Sequence, residues 1–439
     1  VVSLRSFRNI FSIAELRGKI LFTLGVLIVY RIGYAIPVIG VDVAKLGEFM
    51  RQATTLSGFF SYLDTFSGSR LTGATLFSLG ISPYITASIM MQLLGMTIPS
   101  LERLTKEGDY GRKIIAQYTR YLTLALSISY SFTYASVLQS YDLVVAPGLG
   151  FKFLFVASLT AGAMLVMWMG DQIAMFGVGN GSSMIIFAGI VSHFPSYVTR
   201  SYMYLVERRI DPIALAVLLA IFLLIIACIV YLEKGERKIP VQYARRVVGN
   251  RVYGGQSSYI PFKINPVGVM PVIYANAAFS IPVMLSKFLG SYFPSLKFLT
   301  DIFAYNTPVF IVLNFLLIVF FMYLSTAMFL NSDELAENIK KSGGFIPGIR
   351  PGKRTAQFFD FILNRIGLVG AMYLGLLAII PNIIYMVMND TPFIGLSGTS
   401  LLIIVGVALE LAAQLESYLI EHRYEGFLST GRMKSRYAR

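Results

Sequence analysis

Side chains able to do covalent or acid–base chemistry are few in this chain. Its 439 residues include two histidines, His193 and His422, and one cysteine, Cys228. The histidines lie far apart, and His193 reads as a residue near the outer end of a helix. A metal site or an acyl-transfer triad has almost no material. The stretch PGIRPGKRT (347–355) looks faintly like a phosphate loop, which needs a glycine five residues before the Gly-Lys pair and Ser or Thr after it. Those places hold Pro347 and Arg354, so the match fails. GVGNG (177–181) is a glycine-rich turn between two apolar runs, with no strand ahead of it. Nucleotide hydrolysis, a cofactor and enzymatic activity in general are therefore not expected. Ionisable groups within apolar runs are Arg31, Glu410 and Glu416. Ion-coupled carriers bury such groups near the midplane, so a ten-helix secondary transporter stays open as an alternative.

The elements that must carry any site follow from composition. Hydrophobic residues make up 56% of the chain and charged residues 14%, against about 25% charged in soluble domains. The 33 Phe and 26 Tyr exclude a disordered chain. Cys228 sits in IALAVLLAIFLLIIACIVYL, which excludes a disulfide scaffold. A polytopic membrane protein remains, and the absence of apolar/polar alternation makes it α-helical. Ten spans are expected, near 19–38, 75–97, 118–138, 153–172, 183–199, 211–232, 266–288, 308–330, 366–388 and 397–419. The third is rich in Ser, Thr and Tyr, and the fifth is short and interrupted by Pro195. Arg5, Arg8 and Arg17 precede a full-length span, so the first helix is expected to be retained; the opening Val suggests a trimmed start.

The basic residues orient these spans. Of 37 Lys and Arg, 27 fall in the N-terminus, the loops after spans 2, 6 and 8, and the tail, while 9 fall on the other side. Both termini are then expected in the cytoplasm, and the net charge of +14 is mostly topology. Ten spans can divide into two inverted halves of five. The expected organisation is an N-terminal segment 1–18, halves 19–200 and 201–420, and a tail 421–439.

Two features suit something other than small-solute transport. Residues 57–81 are too polar to face lipid yet run without a charged break into span 2. Non-helical backbone at membrane depth needs shielding by protein, so this stretch reads either as a pore stopper or as an ordinary external loop. The stretches 233–265 and 331–365 read as long basic loops punctuated by turns. They suit an acidic or RNA-bearing partner, or serve as plain positive-inside anchors.

From about Glu15 onward the chain resembles the SecY family, the central subunits of the bacterial protein-conducting channel. The carriers are FSGSRLTGATLFSLGISPYITASIMMQLL, KEGDYGRKIIAQYTRY, GVGNGSSMIIFAGIV, RRVVGNRVYGGQSSYIPFKINPVGVMPVI, NIKKSGGFIPGIRPGKRT and GTSLLIIVGVALELAAQLES, in the family's order. The resemblance implies ten helices in two inverted halves around an hourglass pore, and a bacterial inner-membrane home. It implies passage of unfolded secretory polypeptides and sideways release of transmembrane segments into lipid. By motif position the pore ring is Ile81, Ile85, Ser182, Ile186, Ile273 and Ile403. Ser182 departs from the family's aliphatic pattern. The plug is Thr65, Phe66, Ser67, Gly68, Ser69, Arg70, Leu71, Thr72 and Gly73. The lateral gate is Thr86, Ile89 and Met90 with Asn276 and Ile281. Docking for the ribosome and the SecA motor falls on Arg245, Arg246, Arg251, Lys340, Lys341 and Arg350, with Asn250 where the family has the first of a basic pair. The implied partners are SecE, SecG, SecA, the ribosome, signal peptides, nascent chains and membrane lipids.

Overall fold

The computed structural model describes residues 13–42, 45–46, 74–243, 246–248, 251–253, 257–278, 307–329, 332–387 and 398–430. The long apolar runs are helices, which satisfy their own backbone groups in lipid. Along the chain they are α1 (Ala14–Gly33), α2 (Ser82–Thr97), α3 (Pro99–Lys106), α4 (Asp109–Ser140), α5 (Leu149–Phe176), α6 (Gly181–Val191), α7 (Phe194–Val206) and α8 (Pro212–Lys234). Strands β1 (Glu236–Tyr243), β2 (Arg246–Val248), β3 (Arg251–Tyr253) and β4 (Ser257–Lys263) follow. Then come α9 (Pro308–Phe329), α10 (Ser332–Lys341), β5 (Gly344–Phe345), α11 (Lys353–Val387) and α12 (Gly398–Thr430). Among the described residues, α4, α5, α8, α9, α11 and α12 are long and apolar enough to cross a bilayer, and the bent pair α2–α3 would be a seventh crossing. The expected span at 266–288 is described only to 278, as a helix from 270.

Three expected spans differ in detail. The first, expected near 19–38, is α1 over Ala14–Gly33, with no helix at 34–38. The second is expected from residue 75, but α2 starts only at Ser82, with Pro83 in its first turn. Residues 75–81 instead form turns in which the N–H groups of Ser78, Gly80 and Ser82 donate to carbonyls three residues back. The fifth breaks between α6 and α7, and Pro195 falls at the start of α7, where its missing N–H costs nothing.

The chain divides into two compact units. One comprises Val1–Leu56, Leu63–Phe194 and Val407–Arg439; the other comprises Ser57–Tyr62 and Pro195–Gly406. In the first, α4 packs on α2 and α5, and α5 packs on α1 and α6. The polarity of α4 is absorbed locally. Thr119, Thr123 and Ser131 donate to carbonyls four residues back at 2.7–2.8 Å, and Ser127 donates to Leu124. All four are buried, and small hydroxyl residues let neighbouring helices approach closely. Two further approaches are backbone to backbone. Gly162 of α5 meets the carbonyl of Leu76, and Gly181 of α6 meets the carbonyl of Gly170 in α5; a Cβ at either glycine would fall on the oxygen.

In the second unit α9 packs along α11, and the Tyr373 hydroxyl donates to the Cys228 carbonyl at 2.8 Å. Strands order as β4-β1-β5. β1 and β4 are antiparallel with Glu236 opposite Lys263, while β5 reaches only Gln242 and Tyr243. The expected loops 233–265 and 331–365 are therefore not separate loops. Ile239, Val241 and Phe262 of the sheet share one apolar core with Ala336, Ile346, Phe359, Ile362 and Leu363. The pairing that unites them lies about a hundred residues apart in sequence, and β1 buries just two alternating positions, too short a period-2 signal to read alone.

Replacing Gly181 by Ala is expected to cost about 1–3 kcal/mol through overpacking. The measurement is the thermal midpoint of the detergent-solubilised protein. Gly150→Ala, whose Cβ meets nothing within 4 Å, should not lower it.

Candidate functional site

Ile81 closes the 75–81 turn and serves as the N-cap of α2, and its carbonyl accepts the Ile85 N–H at 3.1 Å. The two residues thus keep helical spacing and share a face, as expected. Both are buried. The tips of Ile81 and Ile185 converge on Gly170, each within 3.5 Å of where its Cβ would be. Ile186 is buried in α6. Ser182, one turn earlier, is half-buried, and its hydroxyl donates to Asn180 Oδ1 at 2.9 Å. In the second unit, Ile273 on the 270–278 helix is 4% exposed and Ile403 on α12 is fully buried. Val269, at the start of that helix, packs on Gly406 of α12, which draws the carriers of Ile273 and Ile403 together.

The 177–181 turn is built from distant parts of the chain. The Val178 N–H donates to Thr23 Oγ1 of α1 at 3.0 Å. The Gly179 N–H donates to Gln414 Oε1 of α12 at 2.9 Å. Thr23 itself donates to the Lys19 carbonyl at 3.0 Å. Leu16 and Val178 pack with Leu411, Leu415 and Leu419 beneath the turn. Two N–H groups that a phosphate would need are thus occupied. Sequence reasoning singled out this turn but missed Thr23, Gln414, Gly170 and Ile185. Neither hydrogen bond leaves a local signal, because the partners are 155 and 235 residues apart.

Among the lateral-gate positions, Thr86 and Ile89 are buried and Met90 is half-buried on α2. The Thr86 hydroxyl donates to the Ser82 carbonyl at 3.1 Å, so its polarity is satisfied within the helix. Asn276 is half-buried, and its Nδ2 finds no partner among the described residues. Ile281 and residues 65–73 lie outside the described residues. Arg31, Glu410 and Glu416 are exposed, not gathered into a buried ionic site.

Of the basic positions, Arg350 is exposed in the turn between β5 and α11, and its carbonyl accepts the Thr355 hydroxyl at 3.0 Å. Gly348 and Gly352 bracket it at φ +83° and +107°, a region that favours glycine. Lys340 and Lys341 are exposed in the last turn of α10, with Lys341 paired to Glu337. Arg246 and Arg251 lie on the β2–β3 hairpin; Arg245 lies outside the described residues. Lys340, Lys341 and Arg350 thus stand on the body that the β4-β1-β5 sheet shares with α10 and α11, while Arg246 and Arg251 stand on a separate two-stranded sheet.

The family model for SecY matches residues 75–412. The protein translocase subunit SecY of Thermus thermophilus is 42% identical over 439 residues, covering 99% of each chain. Among solved structures, one described as "The structure of a protein conducting channel" matches with a TM-score of 0.66 at 19% identity, over 92% of this chain and 93% of that one. Canine Sec61 in a ribosome-channel complex from the endoplasmic reticulum matches at 0.62 and 18%, with 92% and 93% covered. At those identities the structures speak to fold.

If Ser182 lines a collar, Ser182→Ile should lower resting ion conductance in a planar bilayer, since an aliphatic side chain dries a constriction. Equal conductance in both forms would count against placing residue 182 there.

Proposed function

The chain belongs to the SecY family, and from that premise we propose that it is the pore-forming subunit of a protein-conducting channel. Unfolded secretory polypeptides pass through a collar of Ile81, Ile85, Ser182, Ile186, Ile273 and Ile403. The observation that carries this is the burial of all five isoleucines, each 8% exposed or less, at the family's ring positions. An apolar constriction gates by dewetting. It offers ions no fixed charge, and it deforms around a chain of any sequence. Residues 65–73 act as the plug.

Transmembrane segments leave sideways through a gate to which Thr86, Ile89, Met90, Asn276 and Ile281 belong. The amide of Asn276, with no partner among the described residues, supports a seam that closes weakly, because a buried unsatisfied donor costs about 1–3 kcal/mol. Arg245, Arg246, Arg251, Lys340, Lys341 and Arg350 form the docking face for the SecA motor and the ribosome. A core shared by the β4-β1-β5 sheet with α10 and α11 supports Lys340, Lys341 and Arg350 acting together, and the fold's likeness to ribosome-bound Sec61 supports the ribosome. SecE and SecG are the small membrane partners. The excess of basic residues on one side supports a bacterial inner-membrane protein with both termini in the cytoplasm. Energy comes from the motor, the ribosome or the membrane potential, in keeping with the failed phosphate-loop pattern.

A photo-crosslinker at residues 81, 186, 273 or 403 should capture a stalled secretory chain, while one at Leu223, exposed on α8, should not. Adducts at Leu223 alone would refute the collar. Arg350→Glu should reduce translocation at least about tenfold, the effect of ~1.4 kcal/mol of lost docking energy, with the protein still inserted. Normal secretion by that variant would refute the docking role.

A further inference from the structure

A turn that leaves a helix carries backbone N–H groups with no partner in the helical ladder, and when buried they need acceptors from elsewhere. In the 177–181 turn these acceptors are side chains of α1 and α12. Thr23 spends its proton on the Lys19 carbonyl, which leaves its oxygen lone pairs for the Val178 N–H. Gln414 presents its amide oxygen to the Gly179 N–H. Gly179 has φ +89°, a conformation that brings its N–H to face α12 and that other residues resist. Three residues beyond Gly179 lies Ser182, and one turn further lies Ile186.

We propose that Gln414 and Thr23 are positioning residues for the collar: they latch the 177–181 turn to α12 and α1 and so hold Ser182 and Ile186 in register. The inference rests on the collar reading above. Gly181, wedged against the Gly170 carbonyl, leaves α6 little freedom to shift against α5, so the seating of the turn sets where Ser182 and Ile186 stand.

The test uses the full channel complex in planar bilayers, with resting ion conductance as the readout. Gln414→Leu and Thr23→Val remove the acceptors and should raise resting conductance several-fold. Gln414→Glu and Thr23→Ser keep an acceptor oxygen and should stay at the wild-type level. The thermal midpoint of each solubilised complex is measured alongside, since a purely structural role would move that and leave conductance alone. Wild-type conductance in Gln414→Leu and Thr23→Val would overturn the latch, as would equal leak in Gln414→Leu and Gln414→Glu. Should Gln414→Leu fail to accumulate, the Thr23 pair decides by the same criterion. Crosslinking of a stalled chain at residues 186 and 403 runs in parallel. If the crosslinks form and the leak does not change, only the latch fails; if no crosslinks form in the wild-type protein, the collar reading itself fails.

Discussion

A backbone amide that leaves a helix inside an apolar protein must find an acceptor, and this constraint shapes the chain wherever function requires it to leave one. The helices answer it internally. The 75–81 turn answers it with carbonyls three residues back. It is also pinned at its start by the extended stretch 36–38: Val38 donates to Ala74, and Leu76 donates to Ile36, both at 2.9 Å. The 177–181 turn has no such local supply and borrows oxygen atoms from Thr23 and Gln414. Both turns deliver residues assigned to the collar, so the sites of irregular backbone are also the sites where side chains must be aimed.

Close approach is the second half of the same solution. Glycines at 162 and 181 let carbonyls come where a Cβ would stand. The gain is contact between backbones with no side chain between them, which fixes spacing more tightly than two flexible side chains would. The buried hydroxyls along α4 work toward the same end by bonding to their own helix, so a polar face can pack without needing a partner from another segment. Two polar groups next to the assigned collar are satisfied nearby: the Thr86 hydroxyl donates to the Ser82 carbonyl and the Ser182 hydroxyl to Asn180. The Ser82 hydroxyl and the Asn276 amide nitrogen lack a partner among the described residues.

In the second unit, a sheet solves a different problem. Basic residues cannot be held in place by burial, so their backbone must be. β1 pairs with β4 from Glu236 to Gln242 and with β5 at its end, and the core under it draws in α10 and α11. Arg350 then sits in a turn braced by Thr355 and two positive-φ glycines, a rigid mount for an exposed cation.

Much of this was legible in the residues themselves. Hydrophobic run length determined the helical class, since a run of about 20 apolar residues has few other folded solutions. Motif order carried the family, and the Ile81–Ile85 spacing survived because Ile81, though outside α2 proper, still accepts the first helical hydrogen bond. What tertiary structure alone decided depended on pairs with no sequence period. The union of two basic stretches hangs on β5 meeting Gln242 and Tyr243. The seating of the glycine-rich turn hangs on Thr23 and Gln414. Each is a pair of contacts between segments a hundred or more residues apart, and isolated long-range contacts leave no pattern along the chain from which they could be read.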